Sequence, residues 1–139
     1  MDSRAENWRE LVKAANDGKG VDIVVDTVGG EATEPAFRSL AWNGRHLVIG
    51  FAGGGIPRLP TNLALLKGAS LVGVDIRQFG IYQPEAAAAN IRTLFELHES
   101  HGLRPHIGHR FKMTEFAEAM ALAASGRALG RIVLEMEAP

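Results

Sequence analysis

Two groups of glycines stand where a ligand could approach the backbone closely. Gly29-Gly30 and Gly53-Gly54-Gly55 each follow a largely apolar run of residues. Glycine has no Cβ and tolerates positive φ, so these positions could admit a ligand's backbone or ring. They could equally form ordinary tight turns, and their spacing alone does not separate the two interpretations. Neither group matches G-x-G-x-x-G or G-x-x-x-x-G-K-[ST], so the sequence contains no complete phosphate-binding loop.

Two pairs of histidines have the spacing of possible metal ligands. These pairs are His98 with His101 and His106 with His109, but no Cys accompanies them. Because Gly102 and Pro105 interrupt regular structure between the pairs, we predict solvated histidines and no metal site. The sequence has no G-x-S-x-G motif either, so no catalytic residue is assigned.

The elements that must position these residues alternate between helix and strand. Apolar periodicity predicts a helix from Trp8 to Ala15, short helices near Phe37 and Leu63, a long helix opened by Pro84, and a last helix at Phe116–Ala123. The predicted strands are Val21–Val25, Leu47–Phe51, Leu71–Ile76, Ile107–Phe111 and Ile132–Met136. The first is an almost unbroken β-branched run, which is typical of a strand buried on both faces in a parallel sheet. The first short helix is expected to include Leu40.

Composition limits the kinds of protein this can be. The 139 residues are 46% hydrophobic and carry 15 basic against 16 acidic side chains, without Cys. One ordinary globular core is expected from this length, and the balanced charge does not favour a nucleic-acid partner. The first residues have no apolar signal segment, and no apolar run approaches the roughly 20 residues of a membrane span. We therefore expect a cytoplasmic protein without a membrane partner.

Strands joined by helices predict an open α/β sheet, in which ligands bind beyond the carboxyl ends of the strands. The candidate site positions are therefore Asp26–Gly30, Gly50–Gly55 and Val74–Gln78.

Four ordered blocks of the sequence carry a family resemblance. They are GVDIVVDTVGG, FRSLAWNGRHLVIGFAGGG, IPRLPTNLALLKGASLVGVD and LRPHIGHRFKMTEFAEAMALAASGRALGRIVL. The chain resembles the C-terminal part of the zinc-independent quinone oxidoreductases, the zeta-crystallin-like members of the medium-chain dehydrogenase/reductase superfamily. The resemblance runs from about residue 6 to residue 135.

The resemblance implies a partial Rossmann-like open parallel sheet, equivalent to strands 4-5-6 of the family's 3-2-1-4-5-6 order. It assigns residues 1–103 to a partial dinucleotide-binding domain. Residues 104–139 would form a strand-helix-strand tail that packs on a catalytic domain in relatives. The family's glycine fingerprint, its first three strands and most substrate contacts would lie before Met1.

The resemblance also implies which residues contact an NADP(H) cofactor. In the family, the first turn passes the adenosine side and the second passes the nicotinamide-ribose side. The main chain after the third strand can bond the carboxamide, and a basic residue near the chain end lies close to the phosphates. The matching positions here are Asp26, Thr27, Val28 and Gly29; Gly50, Phe51, Ala52 and Gly53; Val74, Asp75 and Ile76; and Arg131.

Each of these assignments has a structural alternative. Asp26 could cap the following turn through its carboxylate rather than touch a ligand. Phe51 could belong to the core, and Asp75 departs from the aromatic residue that many relatives carry. Arg131 stands where relatives commonly carry Lys, and could simply charge the edge of a terminal strand.

The implied function is hydride transfer from a reduced nicotinamide cofactor to a quinone or enone. The alternatives are a noncatalytic α/β interaction module, an inactive remnant of such an enzyme, or a methyltransferase-like sheet. Without the family's first strand, Asp22–Val25 would be an open apolar edge. We therefore expect a homo-oligomer, most simply a dimer, formed through this edge or through Leu71–Ile76.

Overall fold

A computed structural model describes residues 7–136, which form two compact units. One unit ends at Tyr82 and the other begins at Gln83. This division precedes the long helix, and the assignment of residues 1–103 to a partial dinucleotide-binding domain stays a prediction. The predicted role of residues 104–139 concerns packing on a further domain, and it stays a prediction.

The first unit is a three-stranded parallel sheet with helices between its strands. The strands occur in the order β1-β2-β3, and both neighbouring pairs are parallel. The predicted open α/β sheet is therefore confirmed. In chain order the elements are α1 (Trp8–Ala14), β1 (Val21–Asp26), a 3₁₀ turn (Gly30–Ala32), α2 (Thr33–Arg38), β2 (Leu40–Val48), α3 (Asn62–Lys67), β3 (Ser70–Gly73) and α4 (Ile76–Tyr82).

The core of this unit lies on one side of the sheet. Its buried members are Phe37, Leu40, Leu63 and Ala69, and Val24 packs against them. The alternate β1 residues Ile23 and Val25 are 47% and 62% exposed. The expectation that β1 is buried on both faces is therefore wrong. Side chains alternate along a strand, and the core covers only the face that carries Val24.

Strand β2 begins earlier and ends earlier than predicted. It starts at Leu40, which was expected in the preceding helix, and ends at Val48 rather than Phe51. Its pairing with β1 shifts between Val21↔Leu40 and Ile23↔Arg45, so several residues are bulged out of register. Asn43 adopts a positive φ of 60° there. The Asn-Gly sequence that resembles a turn signal is thus accommodated inside a bulged strand.

The end of β3 also differs from the prediction. The strand stops at Gly73, and Ile76 begins helix α4, which periodicity did not predict. The Asp75 side chain accepts a hydrogen bond from the Gln78 amide at 3.0 Å. Asp75 therefore acts as the N-cap of α4. A short polar residue before a helix is a recognisable start signal, but here it lies within a largely apolar run that suggested a longer strand.

The second unit contains α5 (Pro84–His101), β4 (Ile107–Lys112), a 3₁₀ turn (Met113–Glu115), α6 (Phe116–Ala124) and β5 (Arg131–Glu135). The long helix begins with Pro84, as predicted. Strands β4 and β5 pair directly and in parallel, and α6 lies between them along the chain. The predicted strand-helix-strand segment is therefore confirmed. Across residues 7–136, no helix is long and apolar enough to cross a membrane.

Two leucines of α3 test the position of the core. Leu63 is 4% exposed, whereas Leu65 is 81% exposed on the same helix. We expect Leu63→Ala to lower the free energy of unfolding by about 2–4 kcal/mol, because it leaves a cavity beside Phe37 and Leu40. Leu65→Ala should change it by less than about 0.5 kcal/mol. Urea unfolding of both variants measures the difference, and equal losses would contradict this account of the core.

Candidate functional site

The candidate site is built where the three parallel strands of the first unit end. Two turns follow β1 and β2 there, and main-chain hydrogen bonds join them. The amides of Ala52 and Gly53 donate to the carbonyls of Thr27 and Val28 at 3.1 and 2.8 Å. The Gly30 amide donates to the Gly55 carbonyl at 2.9 Å. The two glycine groups singled out in the sequence therefore lie in neighbouring turns that are hydrogen-bonded to each other at one edge of the sheet.

Asp26 is the centre of a buried hydrogen-bond network at this edge. Its Oδ1 accepts bonds from the amides of Val28 and Gly29 at 3.0 and 2.8 Å. Its Oδ2 accepts a bond from the Thr33 hydroxyl at 2.8 Å and lies 3.0 Å from His46 Nε2. Both carboxylate oxygens are therefore committed to groups of the protein itself. Asp26 caps the turn, as the structural interpretation of the sequence proposed.

The protonation of Asp26 follows from these contacts. Burial acts to raise the pKa of the carboxyl group, because it disfavours the charged form. The hydrogen bonds from Gly29, Thr33, His46 and Val28 stabilise that charged form and outweigh burial, so the pKa is held below its ordinary value. Asp26 is consequently a carboxylate at neutral pH.

His46 completes the network from the middle of β2. The side chain is fully buried, and its ring stacks on Phe37 with a centroid separation of 5.9 Å. A carboxylate only accepts hydrogen bonds, so Nε2 must carry the proton that it shares with Asp26. Nδ1 is buried and has no hydrogen-bond partner among the described residues.

Gly29 allows the two turns to approach each other. It adopts φ 69° and ψ −152°, a conformation that is essentially restricted to glycine. A Cβ at this position would lie 2.7 Å from the Phe51 ring. At Gly53, a Cβ would lie 3.0 Å from the Val28 carbonyl oxygen. Gly29 is thus favoured both by its positive φ and by close packing between the turns, whereas at Gly53 the close packing alone disfavours a side chain.

An open groove of about 800 Å³ lies beside these turns, past the ends of β2 and β3. Phe51 forms part of its wall and is 43% exposed, so it is not a core residue. The groove is lined by Val48, Ile49, Phe51, Gly73, Val74, Asp75, Ile76, Arg77 and Gln78. Its lining combines apolar surface with main-chain groups and a few polar side chains, which is typical of small-molecule sites.

The structure brings most of the predicted positions together. Thr27, Val28 and Gly29 lie against Ala52 and Gly53, and Gly50 donates its amide to the Asp26 carbonyl at 3.3 Å. Val74, Asp75 and Ile76 line the same groove as Phe51, although they follow the strand rather than end it. Arg131 lies at the start of β5 in the second unit. Sequence analysis missed His46 and Thr33, because no motif links them to Asp26.

The histidine pairs of the second unit make local contacts. His98 Nδ1 lies 2.9 Å from the Leu103 carbonyl oxygen, and His101 Nδ1 lies 2.7 Å from the Ser100 hydroxyl. In the part of the chain that the structure describes, no group of three His, Asp or Glu side chains could hold a metal ion.

The fold and the groove together define a class of protein. A parallel α/β sheet with glycine turns and a groove at its carboxyl edge is a partial Rossmann-like domain. The family described as zinc-binding dehydrogenase matches residues 1–134, and the chain belongs to that family. The predicted membership of the medium-chain dehydrogenase/reductase superfamily, with its quinone oxidoreductases, is thereby confirmed.

Individual relatives agree with this assignment. Quinone oxidoreductase-like protein 2 from Mus musculus is 33% identical over 132 residues, which are 93% of this chain and 37% of that protein. Its homolog from Nematostella vectensis is 28% identical over 135 residues and is likewise covered to 37% of its length. This chain therefore spans well under half the length of these relatives.

Solved structures show the same fold. A probable oxidoreductase from Mycobacterium abscessus is 34% identical and superposes with a TM-score of 0.75, covering 94% of this chain and 38% of that one. A mycobacterial protein complexed with NADPH is 22% identical, has a TM-score of 0.79, and is matched over 96% of this chain and 42% of its own. At that identity the second likeness concerns the fold alone.

The buried carboxylate makes a pH-dependent prediction. We expect Asp26→Asn to lower the free energy of unfolding by about 2–4 kcal/mol at pH 7, because an amide cannot accept all four bonds. The folded-state pKa of Asp26 is depressed, so its stabilisation is complete above the unfolded value of about 3.9 and is lost as pH falls through the folded value.

The difference between wild type and Asp26→Asn should therefore shrink as pH falls below about 4 in chemical unfolding experiments. Asp22→Asn is the matched control, since Asp22 is an exposed residue of the same strand. It should change stability by less than about 0.5 kcal/mol. A pH-independent loss in Asp26→Asn would contradict the assigned carboxylate.

Proposed function

We propose that this chain supplies part of the NADP(H) site of an oxidoreductase that transfers hydride to a quinone or enone. The observation that carries the proposal is the groove past β2 and β3, adjoining two turns that are interlocked through their main chains. Family membership supports the reaction class, and the quinone oxidoreductase-like relatives support the substrate class. The similarity in fold to a protein complexed with NADPH supports the cofactor.

The residues at this edge fit a dinucleotide. A Cβ at Gly29 would lie 2.7 Å from the Phe51 ring and one at Gly53 would lie 3.0 Å from the Val28 carbonyl oxygen, so the two turns pack closely against each other. Phe51 offers an exposed aromatic ring, and Val74, Asp75 and Ile76 line the groove beside it. These are features that can pack against a ribose or nicotinamide and bond its carboxamide.

The bound cofactor would supply the hydride, and the protein would supply orientation and a dry surface. In this proposal Phe51 and Ile49 cover the apolar side of the nicotinamide-ribose. The strand-end main chain fixes the orientation of the carboxamide. Arg131 remains a candidate partner for a cofactor phosphate, since a guanidinium can pair with phosphate through two hydrogen bonds.

Zinc does not fit the residues of this chain. The sequence has no Cys, and the described residues hold no cluster of three His, Asp or Glu ligands. The proposal therefore assigns no role to zinc within this chain.

The proposal is tested by titrating the purified chain with NADPH and NADH and following nicotinamide fluorescence. Gly73 lines the groove and has open space where a Cβ would stand, so Gly73→Leu starts a side chain at the groove without a clash at Cβ. We expect this variant to weaken NADPH binding at least about tenfold, or about 1.4 kcal/mol.

Gly80→Leu is the matched control. Gly80 also has open space for a Cβ but lies outside the groove lining, so affinity should be unchanged. An equal effect of the two variants would contradict the assigned groove. If the wild-type chain binds neither NADPH nor NADH, it does not bind the cofactor by itself, and the noncatalytic module is favoured. If the chain turns over a quinone, the noncatalytic module is excluded.

We also propose that the chain self-associates through its sheet edges. Within the described sheet, β1 and β3 each pair with β2 alone, and β1 carries the exposed residues Ile23 and Val25. An unpaired apolar edge is a template for further strand pairing. Light scattering at micromolar concentration should therefore show an oligomer.

Val25→Lys should shift that oligomer toward monomer, because a charged side chain on an edge strand opposes pairing. Leu65→Lys is the control, since Leu65 is 81% exposed on α3 and away from the strands. A stable wild-type monomer would contradict self-association, and an equal effect of both variants would contradict the β1 edge.

A further inference from the structure

We propose that His46 is a positioning residue: by donating its Nε2–H to Asp26, it holds the Thr27–Gly30 turn in the shape on which the groove depends. His46 is not among the residues that line the groove, and its side chain is hydrogen-bonded to Asp26. The effect on NADPH binding rests on the proposed function. The effect of the hydrogen bond on the shape of the turn does not.

His46 has an unusual environment. The side chain is fully buried against Phe37, on the face of the sheet where the core residues lie. An apolar residue would pack there without leaving a polar atom unsatisfied. His46 leaves Nδ1 without a partner among the described residues, which costs free energy. A buried unsatisfied atom of this kind calls for an explanation beyond packing.

The other ring nitrogen of His46 helps to orient the Asp26 carboxylate. Nε2 lies 3.0 Å from Asp26 Oδ2, and the Thr33 hydroxyl binds the same oxygen. These two donors fix the carboxylate from the side of β2 and α2. Oδ1 is then left facing the amides of Val28 and Gly29, which it holds at 3.0 and 2.8 Å. The orientation of the carboxylate therefore sets the shape of the turn.

The Thr27–Gly30 turn is connected to the groove through the turn after β2. The carbonyls of Thr27 and Val28 accept the amides of Ala52 and Gly53, and Gly29 lies directly against the Phe51 ring. Phe51 in turn forms part of the groove wall. A continuous series of contacts thus runs from His46 through Asp26 and the first turn to the exposed ring of Phe51. Loss of the Nε2 bond should loosen the two turns before it unfolds the sheet.

Amide hydrogen exchange measured by NMR tests this inference without any cofactor. His46→Asn and His46→Gln carry the same amide group, but only the longer Gln side chain can place its nitrogen near the position of Nε2. His46→Phe keeps an aromatic ring against Phe37 and has no donor. We expect exchange at Val28 and Gly29 to be about tenfold faster in the Asn and Phe variants, and to return close to wild type in the Gln variant.

The Asn43 amide is the internal control, because it donates to the Gly68 carbonyl elsewhere in the same unit. A general loss of stability would accelerate exchange at Asn43 to the same extent and would overturn the positioning role. Unchanged exchange at Val28 and Gly29, or no recovery in His46→Gln, would overturn it as well. If His46→Phe does not fold, the Asn and Gln variants alone decide the question.

A second measurement separates this inference from the proposed function. NADPH affinity should fall about tenfold in His46→Asn and recover in His46→Gln. If the wild-type chain binds no NADPH, the proposed function fails, while the exchange data still decide whether His46 shapes the turn. If exchange changes as expected but NADPH affinity does not, the turn has no influence on cofactor binding and that part of the inference is wrong.

Discussion

The burial of one carboxylate is the constraint on which the functional edge of this domain depends. Asp26 is 8% exposed, and a charge in that position is tolerable only when its oxygens are fully hydrogen-bonded. Two main-chain amides, a hydroxyl and an imidazole meet that requirement. Because the partners come from the following turn, from α2 and from β2, satisfying the charge also fixes three elements with respect to one another.

The geometry of the site follows from this arrangement. Once the turn after β1 is fixed, its carbonyls are in place to accept the amides of the turn after β2. Glycine is favoured at positions 29 and 53 because the two turns then lie close together, most closely at Gly29. The phosphate-binding loop that defines related sites is absent from this sequence. The chain instead supplies the backbone of the two turns, the Phe51 ring and the groove beside it. These features can form only part of a cofactor site.

The sequence predicted the order of elements well, and its errors have identifiable physical causes. Local signals placed α5 at Pro84 and the strand-helix-strand segment of the second unit. Leu40 was assigned to the short helix around Phe37, whereas it begins β2 and pairs with Val21 of β1 before a shift in register. Helix α4 was missed because the apolar run through Ile76 masked the capping role of Asp75. In both cases tertiary pairing or a single cap outweighed the local pattern.

The sequence by itself determined the parallel α/β character, the two glycine turns and the family, because these depend on periodicity and on ordered motifs. It also located Asp26, Phe51 and Val74–Ile76 at one edge, since the carboxyl ends of parallel strands meet there. Only the tertiary structure showed that one face of β1 is exposed and that His46 bonds to Asp26. Twenty residues separate that pair along the chain. Such a contact is set by strand register and core packing, for which a sequence pattern of period two carries no information.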